Sequence, residues 1–153
     1  MLEYDVIYEE DGYEERAPEK LVRRVLDTIC PEILCEGTFS VSFVCEATIH
    51  RENLAYRGID SATDILTFAL DDCQEEFVTC GDEPREWGDI LICLDRMEDN
   101  AREFGVPARE ELIRLLIHGV LHLSGMDHQT NDFASEPMLI RQETLLQSIG
   151  NMV

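Results

Sequence analysis

The sequence predicts an α+β fold with a mixed sheet of about four strands and about five helices. Its 153 residues fit one ordinary domain, and 44% hydrophobic with 29% charged residues is typical of a folded chain. Segments with strand-like alternation and segments with helical spacing both occur, which favours α+β. No repeat or Pro/Gly-rich linker marks a boundary, so we expect a single domain over residues 1–153.

The first half of the chain predicts two strands and two helices. Residues 2–8 alternate in the manner of a strand, and residues 18–30 open with proline and then place apolar side chains at helical spacing. Residues 38–45 alternate again and predict a half-buried strand. Residues 47–58 follow as a short helix that ends at its final glycine.

The second half predicts two more strands and then three helices. The strands are 64–70 and 87–94, and the acidic segment between them, 71–86, is expected to be an exposed loop. The helices are expected at 95–104, at 108–124 and at roughly 136–148, each ending close to a glycine.

Cysteine usage and the N-terminus favour a cytoplasmic protein without a membrane segment. The six cysteines form no CxxC pair and lie mostly among apolar residues, which favours reduced thiols in the core. No apolar run approaches the roughly 18 to 20 residues that span a bilayer. The N-terminus is acidic, whereas a secretory signal begins with basic residues.

The charge balance argues against a basic nucleic-acid-binding surface. Only 12 Lys and Arg stand against 33 Asp and Glu, for a net charge of -21. Binding of a polyanion would require a local cationic cleft or a metal ion to offset this negative charge. The alternatives are a protein partner or a purely solubilising surface charge.

Three histidines in the C-terminal half predict a metal site on a helix and the turn that follows it. His118 and His122 are four residues apart, so they share one face of the predicted helix. Gly125 can adopt the left-handed conformation that ends a helix, which allows His128 to return to the same ion. Asp127 is an alternative ligand or a hydrogen-bond acceptor for a histidine, but we favour three histidines as the whole protein contribution.

Three imidazoles favour a transition metal and leave a fourth coordination position open. We expect Zn²⁺, with Ni²⁺ or another transition metal as alternatives, rather than Mg²⁺ or Ca²⁺. An open position is typical of catalytic zinc, which activates water and polarises carbonyl or phosphoryl oxygens. The alternative for histidines on a helix is an ordinary place in the core or on the surface, and His50, which lies outside the pattern, is expected to be structural.

The histidine spacing also matches that of metzincin zinc peptidases, HExxHxxGxxH. In that pattern the glutamate after the first histidine acts as the general base. Gly119 takes its place here. The interpretation as a peptidase therefore lacks the general base that this chemistry requires.

Three segments resemble the YbeY family. HGVLHLSGMDH is similar to the family signature HGxLHLxGYDH and departs from it only at Met126. NLAYRGIDSATDILTF resembles the family segment NxxYRxxDxPTDVLSF, with Ala62 and Thr67 as departures, and EWGDILICLDR resembles its LGDIxI strand. The segments occur in family order between about residues 53 and 128.

The resemblance implies a metal-dependent, single-strand-specific endoribonuclease of rRNA maturation and ribosome quality control in the bacterial cytoplasm. It implies ribosomal RNA and the small ribosomal subunit as partners, with ribosome-associated proteins in addition, and no DNA. The arginine that the family conserves corresponds to Arg57, which the resemblance assigns to the RNA phosphate. A guanidinium suits that role, although an ordinary surface salt bridge is the alternative. Thr63 and Asp64 are candidates either to orient a ligand histidine or to cap a turn.

A second hypothesis is a non-catalytic ribosome-assembly factor that binds protein partners and uses zinc only to stabilise its C-terminal half. The net charge of -21 favours this hypothesis. Removal of the metal separates the two, because a structural zinc site unfolds without its ion.

Overall fold

The computed structural model describes residues 2–70, 85–128 and 130–150, and this part of the chain contains one four-stranded mixed sheet. The strand order is β1-β2-β4-β3. The first three of these strands are parallel, and β3 runs antiparallel to β4 at the edge. The strands are β1 Leu2–Tyr8, β2 Gly37–Val44, β3 Ile65–Ala69 and β4 Glu86–Cys93. The predicted α+β class and mixed sheet are confirmed.

Six helices lie in the described ranges, and five of them occupy the predicted positions. They are α1 Tyr13–Arg16, α2 Glu19–Ile33, α3 Glu46–Arg57, α4 Leu94–Phe104, α5 Ala108–Leu123 and α6 Pro137–Gly150. The additional helix, α1, is a single turn, which is too short to show a helical period in the sequence. The acidic segment predicted as a loop falls mainly on residues 71–84, which lie outside the described residues, and Glu86 belongs to β4.

The helix α5 is the centre of the packing. It contacts β3, β4, α2, α4 and α6. Ten of its side chains or glycines are buried, because apolar residues surround most of its circumference. Gly119 brings α5 close to the sheet: a Cβ atom there would lie 2.8 Å from Cδ1 of the buried Ile90 on β4. One edge of the helix remains uncovered beside the edge strand β3, and the histidines lie there.

Two further sequence expectations concern thiols and membranes. The four cysteines in the described part of the chain are free thiols, and Cys30 and Cys93 among them are buried. No helix of the described residues combines the length and apolar character needed to cross a bilayer.

Candidate metal centre

The turn after α5 returns the chain toward the helix that it has just left. The N–H of Gly125 donates to the carbonyl of His122 at 3.0 Å, and the N–H of Met126 donates to that of Leu121 at 3.1 Å. These two bonds form a Schellman motif, which needs a left-handed residue, and Gly125 has φ 104°. The half-buried Met126 packs on the core and fixes the direction of the turn.

The three predicted histidines meet at this turn. His118 and His122 lie one helical turn apart on α5, and His128 lies beyond Gly125. One ring nitrogen from each histidine lies within 4.8 Å of the other two. Among the described residues, these three form the group that could hold a metal ion. The structure therefore brings together the histidines that the spacing predicted.

Hydrogen bonds to the Nδ1 atoms orient all three rings. Nδ1 of His118 lies 2.6 Å from Oε1 of Gln142, Nδ1 of His122 lies 3.1 Å from the carbonyl oxygen of Met126, and Nδ1 of His128 lies 2.8 Å from that of Thr130. Each partner is an acceptor, so each Nδ1 carries the proton. The lone pair of each ring is then on Nε2, free for a metal.

The environment keeps the two helical histidines neutral at pH 7. Burial lowers the pKa of His118 below its ordinary value. Burial and the neighbouring His118 lower the pKa of His122 to about 4. A neutral imidazole is the form that binds a metal, so protons do not compete for these two ligands near neutrality.

Gln142 on α6 belongs to the site, and no local pattern in the sequence indicates it. Its side chain is 2% exposed, and its Nε2 donates to Oε2 of Glu143 at 2.9 Å, which leaves Oε1 facing His118. Arg114 on α5 holds Glu143 through bonds of 2.8 and 3.2 Å. Arg114 also donates to the buried Glu111 at 2.7 Å. A continuous polar network thus connects α5 and α6 behind the first histidine.

The other candidate orienting groups have different contacts. Oδ2 of Asp64 accepts from Asn100 at 2.8 Å, and the hydroxyl of Thr63 donates to Oδ1 of Asp64 at 3.3 Å. Asp127 accepts from the backbone N–H of His128 at 2.8 Å, and its Oδ1 lies 3.9 Å from Nδ1 of His122. Asp127 thus caps the turn and is outside the ligating group.

Arg57 lies across a cleft of about 1210 Å³ that the three histidines also line. It is the last residue of α3 and is exposed. Within the described ranges its guanidinium has no hydrogen bond or ion pair, so the salt-bridge alternative finds no acceptor there. Arg114 also lines the cleft, but its donors are occupied by carboxylates. His50, on the same helix as Arg57, instead contacts Asp60 at 2.7 Å, as a structural role predicts.

Gly119 has a structural role that strengthens the argument against a peptidase. A Cβ atom at this position would meet three atoms of Ile90 at 2.8 to 3.1 Å. A glutamate therefore does not fit here without displacement of the sheet. The site lacks the peptidase base at this position, and the packing opposes its introduction.

The donor set fits a transition metal. Three neutral nitrogen ligands suit zinc, nickel, copper or iron, whereas Mg²⁺ and Ca²⁺ prefer oxygen ligands. Three protein ligands would leave a bound transition metal with a coordination position for water or substrate.

Comparison with known proteins shows the family of the chain. The family model for Endoribonuclease YbeY matches residues 5–150. Proteins named Endoribonuclease YbeY are similar to this chain: one from Treponema denticola is 47% identical over 74% of this chain and 71% of its own, and one from Bacillus pumilus is 38% identical over 86% and 83%. A solution structure of a Thermotoga maritima protein matches with a TM-score of 0.65 and 32% identity, covering 97% of this chain and 90% of that one. The resemblance seen in the sequence is thereby confirmed, and the chain belongs to the YbeY family of endoribonucleases.

Proposed function

We propose that this protein is a zinc-dependent endoribonuclease that cuts single-stranded ribosomal RNA in the cleft between His118 and Arg57. Family membership supports RNA cleavage as the reaction. The observation that carries the zinc-dependent part is the convergence of three oriented imidazoles in the same cleft as Arg57, which has no hydrogen bond or ion pair within the described residues. The family model and the main core, to which α1, α2, α4, α5, α6 and the sheet contribute, support one catalytic domain over residues 1–153.

Each part of the cleft has a role in this proposal. His118, His122 and His128 hold the ion through Nε2, and Gln142 fixes the ring of His118. When bound, zinc supplies Lewis acidity toward the phosphodiester and activates water at its open position. Arg57 donates paired hydrogen bonds to the nonbridging oxygens of the phosphate and stabilises the charge that develops on them.

The arrangement also accounts for RNA binding by a chain of net charge -21. Among the described residues, four carboxylates and two arginines line the cleft: Asp64, Glu111, Asp127, Glu143, Arg57 and Arg114. Without an ion the lining is therefore negative, and a divalent cation cancels that excess. Arg114 is occupied by its own glutamates, so Arg57 is the cation left for phosphate. We expect RNA binding itself to require the metal.

The biological setting is part of the proposal. The substrate is small-subunit ribosomal RNA in the cytoplasm, in rRNA maturation and ribosome quality control, with ribosome-associated proteins as further partners. The acidic surface outside the cleft suits contacts with basic ribosomal proteins better than contacts with free RNA.

The second candidate function, a non-catalytic assembly factor with a structural zinc, is favoured by the same acidic surface. The position of the histidines argues against it. The main core draws on α2, α5, α6 and the sheet without any of the three histidines. The metal-free protein should therefore stay folded, with its thermal midpoint lowered only by the amount expected from lost ligand binding.

The test is cleavage of an end-labelled fragment of small-subunit rRNA by protein loaded with stoichiometric zinc. Wild type should cut single-stranded regions, and His122→Ala and Arg57→Ala should not do so at comparable rates. Arg109→Ala is the matched control, because Arg109 is exposed on α5 and lies outside the cleft. The proposal fails if zinc-loaded wild type leaves the RNA intact, and unfolding on chelation would favour the structural-zinc alternative.

A further inference from the structure

Two exposed phenylalanines line the cleft of the metal site. Phe104 is the last residue of α4, and its side chain is 64% exposed. Phe133 lies in the segment between His128 and α6 and is 46% exposed. Both line the cleft that contains Arg57 and the three histidines. The cleft therefore presents apolar rings to solvent beside groups that attract phosphate.

The packing of the protein does not account for these two rings. The third exposed aromatic side chain of the described residues, Tyr56, packs against Phe68 with ring centroids 4.2 Å apart and the ring planes tilted by 40°. Phe104 and Phe133 have no such ring partner in the described part of the chain. Neither belongs to a hydrophobic core cluster. Each leaves apolar surface in water that a ligand could cover.

We propose that Phe104 and Phe133 are the surface on which nucleobases stack on either side of the phosphodiester that is cut. This inference rests on the proposed function and adds the feature that selects single-stranded RNA. Proteins that bind single strands combine a cationic track for the backbone with aromatic side chains for the bases. Here Arg57 and the metal would form the cationic track, and the two phenylalanines would be the aromatic side chains.

Stacking explains selectivity for strand state without selectivity for sequence. In a duplex the faces of each base are covered by its neighbours, and a side chain cannot reach them unless the helix opens. In a single strand the faces are accessible, and every base has one. A phenylalanine side chain cannot form hydrogen bonds, so it can stack on any base but cannot distinguish one base from another. The cleft should therefore tolerate any base at the two stacked positions.

RNA fits the pair of phenylalanines better than an apolar peptide does. The rings share their cleft with Arg57, which has no hydrogen bond or ion pair within the described residues, so an apolar segment covering the cleft would bury an unpaired charge. A nucleotide places its base on the ring and its phosphate at the arginine and the metal. Charge complementarity thus selects RNA as the occupant.

The test is a double-mutant cycle in which one change is made in the protein and the other in the RNA. A single-stranded oligonucleotide is cut by zinc-loaded protein under single-turnover conditions, and the cleaved position is mapped. The nucleotides on each side of it are then replaced, one at a time, by abasic ribose. The half-saturating protein concentration and the maximal rate are measured for wild type, Phe104→Ala and Phe133→Ala with each RNA.

In wild type the loss of a stacked base should raise the half-saturating concentration by about 5- to 150-fold. The matching alanine variant should show the same loss on intact RNA, with no further loss on abasic RNA, because the two changes remove one contact. Slow cleavage of a duplex of the same sequence should be unaffected by either variant. Phe104→Tyr should behave as wild type, and Phe104→Leu should not.

Ile7→Ala is the matched control, since Ile7 is 47% exposed on β1 at the opposite edge of the sheet. It should leave all of these measurements unchanged. The inference is wrong if the losses from the protein change and from the RNA change are additive, or if single-strand preference survives both alanine variants. The proposed function fails separately, by the absence of cleavage in wild type.

Discussion

The two walls of the cleft differ in how their functional side chains are held. On the wall formed by α5 and α6, Gln142 and two backbone carbonyls fix the three histidines. On the wall formed by α3 and β3, Arg57 is exposed and has no hydrogen bond within the described ranges. The histidines of the first wall are already oriented by hydrogen bonds without a ligand. On the second wall, the guanidinium of Arg57 is free to donate to one.

This difference suits the two ligands. An ion needs several nitrogen atoms at fixed positions, so a site oriented in advance binds it at little cost in conformational entropy. A phosphate on a flexible RNA arrives in many orientations, and an arginine with a free side chain can follow it. We therefore expect changes on the first wall to alter metal affinity, and changes on the second to alter RNA binding and the chemical step without altering metal affinity.

The largest effect is expected for loss of a ligand on the metal wall. His122→Ala removes one of three nitrogen donors and should lower cleavage by about a thousandfold or more, since the metal contributes several kcal/mol to the barrier. Competition with a chromophoric chelator should show a parallel loss of zinc affinity. His50→Ala is the control, because His50 is paired with Asp60 away from the ligating group. Full zinc affinity in His122→Ala would contradict the assigned ligand set.

Loss of the guanidinium on the opposite wall should separate cleavage from metal binding. Arg57→Ala should lower the maximal rate by about 100- to 1000-fold, as removal of one group that stabilises the transition state does. Its zinc affinity should equal that of wild type, because Arg57 contacts no ligand histidine. Arg57→Lys should recover only part of the rate, since an ammonium group cannot donate two parallel bonds. A fall in zinc affinity would show that the two walls are not independent.

A smaller effect on zinc affinity is expected for a change at Gln142, which orients the ring of His118. Gln142→Leu removes the acceptor for Nδ1 of His118 and should lower zinc affinity by about 10- to 100-fold. The control is Gln147→Leu on the same helix, where the side chain is exposed. Both affinities come from the same chelator competition. Equal affinities for Gln142→Leu and Gln147→Leu would mean that the orientation of His118 does not depend on α6.

The same division governs what the sequence could predict. Local rules sufficed for the metal wall: four-residue spacing placed two histidines on one helical face, and a glycine at the following turn brought back the third. The helices and strands were predicted for a related reason, because each has several periods of apolar spacing. The single-turn α1 was missed because it has one period at most.

Contacts between distant segments could not be predicted from spacing. Gln142 lies 24 residues beyond His118, and only the packing of α6 on α5 brings the two side chains together. Arg57 was selected through resemblance to the family and not through any local pattern. Asp64 was a candidate to orient a histidine, but the approach of α4 pairs it with Asn100 instead. In each case the decisive contact depends on tertiary structure.

The smallest effect on zinc affinity is expected for a change at Gly119, which lies on the face of α5 that packs on the sheet. The same change should have a larger effect on stability. Gly119→Ala places a Cβ atom against Ile90 and should lower the free energy of unfolding by about 1 to 3 kcal/mol. Chemical denaturation measures this change. The close contacts are with Cδ1, Cγ2 and Cγ1 of Ile90, which Ile90→Ala removes, so the double variant should be more stable than the sum of the single changes predicts. Zinc affinity of folded Gly119→Ala should match wild type, because Gly119 is not a ligand and the added Cβ atom meets Ile90 on β4 and not a ligand histidine. Additive losses would mean that the close approach of α5 to β4 does not depend on this glycine, and the rigidity of the metal wall would need another source.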